Sequence, residues 1–174
     1  MSTQKTELSI KTLGCPVLRK KALPVKNVTD EHRQILSQMA QIMYASSGIG
    51  LAACQIGLRE SFFVADIGTG LYKIVNPKII RRSGRQSNQE GCLSVPGVYI
   101  KVSRAKRVEV EGLDENGKPV VIKAEDLLAC VFQHEIDHLR GKMIIDHASL
   151  LDKIKIGSKL KTIKERSKNE GMQL

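Results

Sequence analysis

Between residues 30 and 45 the apolar side chains Ile35, Leu36, Met39, Ile42 and Met43 return every three or four positions among mainly polar neighbours. That spacing puts one apolar stripe on an α-helix, with Thr29 or Asp30 placed to cap its first turn. The stretch SSGIG (46–50) then breaks the pattern. SFFVADI (61–67) and LYKIVNP (71–77) read as strands with Gly68 and Gly70 turning the chain between them. RVEVEGL (107–113) alternates apolar and polar, DENGK (114–118) supplies a turn and PVVIKA (119–124) returns, which predicts a hairpin. Leu127, Leu128, Val131, Phe132 and Leu139 mark a second helix, with Gly141 where helices favour a C-terminal stop. Helices and strands are segregated, so the predicted class is α+β. No repeat or low-complexity linker divides the chain, and residues 1–174 are expected to form a single domain. Its last segment, 150–174, reads as a basic C-terminal helix or tail. Leu151, Ile154, Leu160 and Ile163 give it an apolar stripe, and Gly157 weakens a helix there by roughly 1 kcal/mol relative to alanine.

Composition narrows the function classes. At 174 residues with 41% hydrophobic content the chain can bury a core without disulfides. Its Lys and Arg number 28 against 18 acidic residues, a formal charge of +10 that suits a negatively charged partner or simple solubility. Three Tyr, three Phe and no Trp leave little material for stacking single-stranded bases. Cys15, Cys54, Cys92 and Cys130 lack the spacing of a secreted disulfide framework and are expected to be reduced. The start, MSTQKTELSIKTLG, has no apolar run of signal-peptide length, and no segment reaches membrane-span length. The expected setting is the cytoplasm of a bacterium, with no membrane partner.

QHEIDHLRG (133–141) carries the chemistry. Residues four apart share one helix face, so His134 and His138 can offer two imidazole nitrogens to one ion, with Glu135 beside the first. A bland helix with two surface histidines is the competing reading, although the apolar stretch before it argues for burial. The third ligand is not in the obvious places: Ile144 stands where a metzincin has its last histidine, and Glu165 and Glu170 lie in the lysine-rich tail. Asp146 and His147 coordinate only if the chain folds straight back. Upstream, EGCLSVPG (90–97) offers Cys92, either a thiolate completing a Cys-His-His set with one open position or a small buried hydrophobe.

GIGLAACQ (48–55), EGCLS (90–94) and QHEIDH (133–138) resemble, in order and spacing, the three signature motifs of peptide deformylases. The similarity runs through LRKKALPV and ENGKPVVIKAEDLLACVFQHEIDHLRGKMIID, and covers most of residues 8–147. It implies a metal-dependent hydrolase that removes the formyl group from the N-terminal formyl-methionine of new polypeptides and releases formate. It also implies antiparallel or mixed sheets packed around a central metal-binding helix, with a C-terminal helix. A metallopeptidase using the same Cys-His-His site is the alternative, and a non-enzymatic basic ribosome-binding protein is a third.

By this resemblance Cys92, His134 and His138 bind one divalent ion, Fe(2+) first, with Zn(2+), Ni(2+) or Co(2+) as substitutes. Glu135 is the general base, and the Gln55 amide with the backbone N–H of Leu93 steadies the oxyanion. Gly48, Ile49, Gly50, Gly91, Leu127 and Val131 are the expected substrate-binding positions, with Val131, Leu127 and Ile49 shaping an apolar slot for methionine. As plain core residues those three would look the same. Gly48 and Gly50 suit a close backbone approach or a positive φ, and Gly48 also suits a helix stop. Glu90 resembles the acidic residue that pairs with a later arginine, here Arg104, against a surface pair of no consequence. Asp137 either orients a ligand or faces solvent. Two departures stand out: Cys54 adds a thiol near the site, and Tyr99 replaces an arginine with which some relatives contact the peptide main chain. The partners implied are N-formyl-Met nascent polypeptides and, through the basic tail, the ribosome; a monomer is the expected state.

Overall fold

The computed structural model describes residues 8–171. The stretch before Leu8, which bears on the reading of the N-terminus, and residues 172–174 of the tail lie outside the described residues.

Seven strands form β1 (Gly50–Ala52), β2 (Phe62–Ala65), β3 (Tyr72–Ser83), β4 (Gln86–Cys92), β5 (Val95–Arg104), β6 (Arg107–Leu113) and β7 (Pro119–Glu125), with helices α1 (Asp30–Ala45), α2 (Asp126–Leu139) and α3 (Leu150–Gly171). One sheet runs in the order β1-β2-β3-β6-β7 and the β4–β5 hairpin forms a second, every ladder antiparallel. The class is α+β, as expected.

The large sheet is buried on both faces near β1 and β2. Leu51, Phe62, Val64 and Val75 pack with Leu36, Met39 and Met43 of α1, whereas Ala52, Phe63, Ala65 and Ile74 join Phe132 and Ile136 of α2. That is the two-residue alternation of a strand delivering neighbours to opposite cores. It explains why β2 reads as an unbroken apolar run. Phe132 stands edge-on to Phe63 and Tyr72, each with ring centroids 5.3 Å away, and burying each such ring contributes about 1.5–3 kcal/mol. Helix α2 packs on β1, β2, β5, β6 and β7, which leaves little of it in solvent and fixes the direction of every side chain it carries.

The β6–β7 hairpin forms as the alternation requires, with Gly117 at φ +76° in its turn. At Gly141, φ is +74° and an added Cβ would lie 2.6 Å from the Arg19 carbonyl oxygen, so only glycine ends α2 there without strain. The end of α1 departs from expectation. Gly48 does not stop the helix: Ser47 takes the left-handed turn at φ +53°, and the Gly48 N–H returns to the Met43 carbonyl at 2.9 Å. Strand β3 runs past Pro77 to Ser83, and β1, β4 and β5 are strands that the hydrophobic pattern did not mark.

The tail is helical through Gly157, but its apolar face differs from the expected stripe. Ile156, Leu160 and Ile163 pack on the body, whereas Leu151 and Ile154 stay about 70% exposed. Among the described residues no helix is long and apolar enough to cross a membrane.

Candidate metal centre

Two elements bring the ligand candidates together. Helix α2 holds His134 and His138 one turn apart, and the β4–β5 hairpin carries Cys92 to its tip, where Cys92 pairs with Val95. Nε2 of His138 lies 3.2 Å from Cys92 Sγ and 3.2 Å from Nε2 of His134. No other group of three ligand-type side chains converges in this way among the described residues. Asp146 and His147 do not join it. The chain does fold back after α2, through a 3-10 turn, but His147 Nε2 meets Asp137 at 2.9 Å.

The outer contacts decide which atoms face the centre. Nδ1 of His134 lies 2.9 Å from Glu90 Oε2, so it donates a proton there and turns Nε2 toward the centre. Burial, and then the neighbouring His134, hold His138 well below the ordinary histidine range, which keeps it neutral. Burial would also lower His134, but its bonds to Cys92 and Glu90 outweigh that and raise it well above the usual value. A thiolate and two imidazoles, one backed by a carboxylate, suit a divalent transition metal, and loading it would displace protons.

Glu135 points from the same helix turn and is 3% exposed. Its Oε2 and the Nδ1 of His138 are buried without a hydrogen-bond partner. Burial pushes the Glu135 carboxyl up to about 7, which poises it to exchange a proton near neutrality. Gln55 sits 1% exposed in the 3-10 turn Ala53–Ile56 that follows β1. Its Oε1 accepts the Ala52 N–H at 2.8 Å, which fixes the amide so that Nε2 faces Ser94 Oγ at 3.1 Å and Cys92 Sγ at 3.6 Å. The backbone bond and the inward-facing donor coexist in one side chain. Leu93 follows Cys92 in the hairpin turn.

These groups open on a cleft of about 480 Å³. Gly48, Ile49, Gly50, Gly91, Leu127 and Val131 all line it, together with Gln55, Cys92, Leu93, His134 and Glu135. Ile49 and Leu127 are 45% and 49% exposed at its rim, and Val131 is buried at its wall. Neither Gly48 nor Gly50 has a left-handed φ; both are needed for close approach. A Cβ on Gly48 would lie 2.8 Å from Leu93 Cδ1, and one on Gly50 would overlap Glu135 Oε1. Tyr99 covers Gly91 from the facing strand.

A scan against protein-family models matches the polypeptide deformylase family over residues 7–154. The peptide deformylase of Syntrophomonas wolfei is 51% identical over 137 residues, 79% of this chain and 90% of that protein. That of Carboxydothermus hydrogenoformans is 49% identical over 136 residues, 78% of this chain and 90% of that protein. The chain belongs to the polypeptide deformylase family. Deformylases are metal-dependent hydrolases that remove the N-formyl group from newly made polypeptides. Among solved deformylase structures, that from Legionella pneumophila superposes with a TM-score of 0.85 at 41% identity, covering 91% of this chain and 95% of that one. The Synechococcus elongatus deformylase in complex with actinonin gives 0.84 at 41% identity, covering 91% and 89%.

Around this site the geometry places Arg104, Asp137 and Cys54, which the sequence left open, and adds Gln133, which it did not mark. Arg104 is 7% exposed and its guanidinium grips Glu90 through Nε at 2.8 Å and Nη2 at 2.9 Å, so the pair is a buried brace and not a surface contact. Asp137 neither touches a ligand nor faces solvent freely; it accepts from Arg104 and meets His147. Gln133 ties α2 to the β5–β6 connection, donating to the Ala105 carbonyl at 2.9 Å and accepting its N–H at 3.0 Å. Cys54 is 1% exposed, its thiol pushed up to about 12 by burial, so it is a packed side chain.

Proposed function

We propose that this chain hydrolyses the formamide of N-formyl-methionyl polypeptides at the cleft, with the labour divided among the residues above. The observation that supports this best is the convergence of three metal-type donor atoms beside a buried carboxylate that has an unpartnered oxygen. Cys92, His134 and His138 would hold one divalent ion, Fe(2+) in the cell, with Zn(2+), Ni(2+) or Co(2+) able to replace it. When bound, the ion supplies Lewis acidity that makes hydroxide available from water near neutral pH.

Glu135 takes the proton as water adds to the formyl carbon and returns it to the departing amine. The C–N bond breaks, water's oxygen stays with formate, and the methionyl amine leaves free. Gln55 Nε2, held in place by the Ala52 contact, donates to the negative charge that develops on the formyl oxygen, joined by the Leu93 N–H. Gly50 lies on β1, an edge strand of the large sheet, and lines the cleft. An extended peptide can therefore lie along its main chain, with Gly48 and Gly91 admitting it closely. Val131, Leu127 and Ile49 receive the methionine side chain.

The chain works as a monomer in the reducing cytoplasm, where Cys92 stays unoxidised. Its α3 helix keeps Lys153, Lys155, Lys161, Lys164, Arg166 and Lys168 exposed, a surface suited to ribosomal phosphates. Pelleting with ribosomes across a salt series, with and without residues 150–174, tests that part; equal binding by both forms refutes it. The reaction itself is tested by formate release from formyl-Met-Ala-Ser after anaerobic metal loading, with Glu135→Gln as control. Loaded wild type should release formate and the variant should lose about 10²–10⁴-fold in rate. Cleavage of internal bonds with formate retained would replace this reading by a peptidase.

A further inference from the structure

Behind the ligands runs a closed circuit of hydrogen bonds. His134 Nδ1 meets Glu90 Oε2 at 2.9 Å, and Arg104 holds both Glu90 oxygens. The remaining Arg104 Nη1 donates to Asp137 Oδ2, and His147 Nε2 meets that same oxygen at 2.9 Å. Asp137 lies three residues after His134 on α2, so the circuit leaves the helix at one ligand, crosses β4 and β5, and re-enters the helix beside the other. The Arg104, Glu90 and Asp137 side chains are only 6%, 9% and 16% exposed. Arg104, Asp137 and His147 do not line the cleft.

Charge balance does not call for Asp137. Glu90 alone neutralises Arg104, and a second carboxylate brought close to the first is repelled by it. What Asp137 adds is direction. A guanidinium is planar and donates along fixed lines, and Glu90 occupies only the Nε and Nη2 edge. Anchoring Nη1 as well stops the plane from turning about that edge. The hairpin that carries Cys92 is thereby fastened to the helix that carries both histidines.

We propose that Asp137, backed by His147, is a positioning residue for the metal centre: by pinning Arg104 it holds Glu90 on His134 and fixes the spacing of Cys92 against the two histidines. Its removal weakens the grip on the ion without touching a ligand. The inference rests on the metal-binding role given to Cys92, His134 and His138.

The test is zinc and cobalt(II) affinity of the metal-free full chain, measured by chelator competition, with the melting temperature of each metal-free variant recorded. Asp137→Leu removes the acceptor and should weaken both metals about 10–100-fold, the usual effect of losing an outer partner of a ligand. Asp137→Ala replaces it if the leucine variant does not fold. Asp137→Asn keeps an acceptor for Arg104 and should lie within about threefold of wild type, which separates direction from charge. In a Glu90→Gln background, Asp137→Leu should add less than threefold, because its route to His134 is already cut. Folded Asp137→Leu or Asp137→Ala with wild-type affinity overturns the proposal, as does a full additional loss in the Glu90→Gln background or an Asp137→Asn loss equal to that of leucine. Failure of wild type itself to bind an ion would instead remove the metal reading on which the proposal stands.

Discussion

Adding one methyl group at Gly50 should separate catalysis from metal binding. In Gly50→Ala the new Cβ overlaps Glu135 Oε1 and would lie 2.9 Å from Glu135 Cδ and 3.0 Å from Val131 Cγ1. The backbone there is not left-handed, so alanine meets no φ penalty and the cost is local crowding. To regain ordinary contact the carboxylate must retreat by about 1 Å, and Val131 by a few tenths of that. Overpacking of this kind costs about 1–3 kcal/mol of stability. Misplacing a catalytic group by 1 Å costs on the order of 100-fold in rate. The three atoms nearest the methyl belong to Glu135 and Val131 and to none of Cys92, His134 or His138, so one equivalent of metal should still bind with wild-type affinity. Formate release in a coupled dehydrogenase assay should thus show kcat down about 100-fold in a folded, metal-loaded protein. Gly157→Ala, where an added Cβ meets nothing within 4 Å, is the control; it should raise stability by up to about 1 kcal/mol and leave the rate alone. A Gly50→Ala rate within threefold of wild type would refute the assignment of Glu135 as the base held against β1.

Three further outcomes follow from individual side chains. Gln55→Leu removes the amide donor and leaves the Ala52 N–H without its acceptor; kcat should fall about 10²–10³-fold, with a stability loss of about 1–3 kcal/mol seen in melting. Metal content unchanged with no rate loss would exclude Gln55 from the reaction. In the metal-free chain, burial alone would raise the Glu90 carboxyl, but Arg104 and then His134 outweigh it and hold it down at about 2. A depressed carboxyl contributes its full stability above the unfolded value of about 4.3 and loses it as pH falls through the folded value. Between about pH 4.5 and 2 the wild type should therefore lose on the order of 3 kcal/mol more than Glu90→Gln, measured by denaturant titration at each pH. Parallel curves would mean the brace carries no such linkage. Finally, burial and then the charges of Glu135 and Cys92 push the Cys54 thiol up to about 12. At pH 8 iodoacetamide should spare Cys54 in the native protein while labelling the partly exposed Cys15, and mass spectrometry of the two peptides decides it.

How much of this was legible in the sequence depended on where each element buries its side chains. Helices α1 and α2 and the β6–β7 hairpin stood out because each turns a regular apolar face to the core. Strand β4 was hidden: its sequence QSNQEGC has no aliphatic side chain, and it is a strand only because β5 pairs with it. Its partner did carry a signal. Val98, Ile100 and Val102 alternate and are buried, and Arg104 continues the same face, so a period of two ran straight into the buried arginine of the metal brace. Of the candidate site, His134 and His138 were visible through their helical spacing. Cys92 was visible only as one of two readings of EGCLSVPG and Gln55 not at all, because nothing local fixes their distance from residues 134 and 138; the resemblance to a family supplied that. The bond between Asp137 and Arg104 was out of reach for the same reason, since the two lie 33 residues apart in the chain.

In the tail the period of the helix, not the three-residue spacing of its apolar side chains, sets the buried face. Leu151, Ile154, Leu160 and Ile163 look like one stripe because each neighbouring pair but one is three apart. At 3.6 residues per turn, however, the six residues from Ile154 to Leu160 rotate the helix by about 600°, which leaves the two about 120° apart on its circumference. Ile156, Leu160, Ile163 and Ser167 instead fall within about 60° of one another, and these are the positions that meet the body, with Ser167 Oγ donating to the Thr12 carbonyl at 3.4 Å. Leu150, Leu151 and Ile154 are carried to the opposite side and stay exposed. Gly157 does not end the helix because it lies off the buried face with nothing near it; a penalty of about 1 kcal/mol at one exposed position is smaller than the burial of three aliphatic side chains.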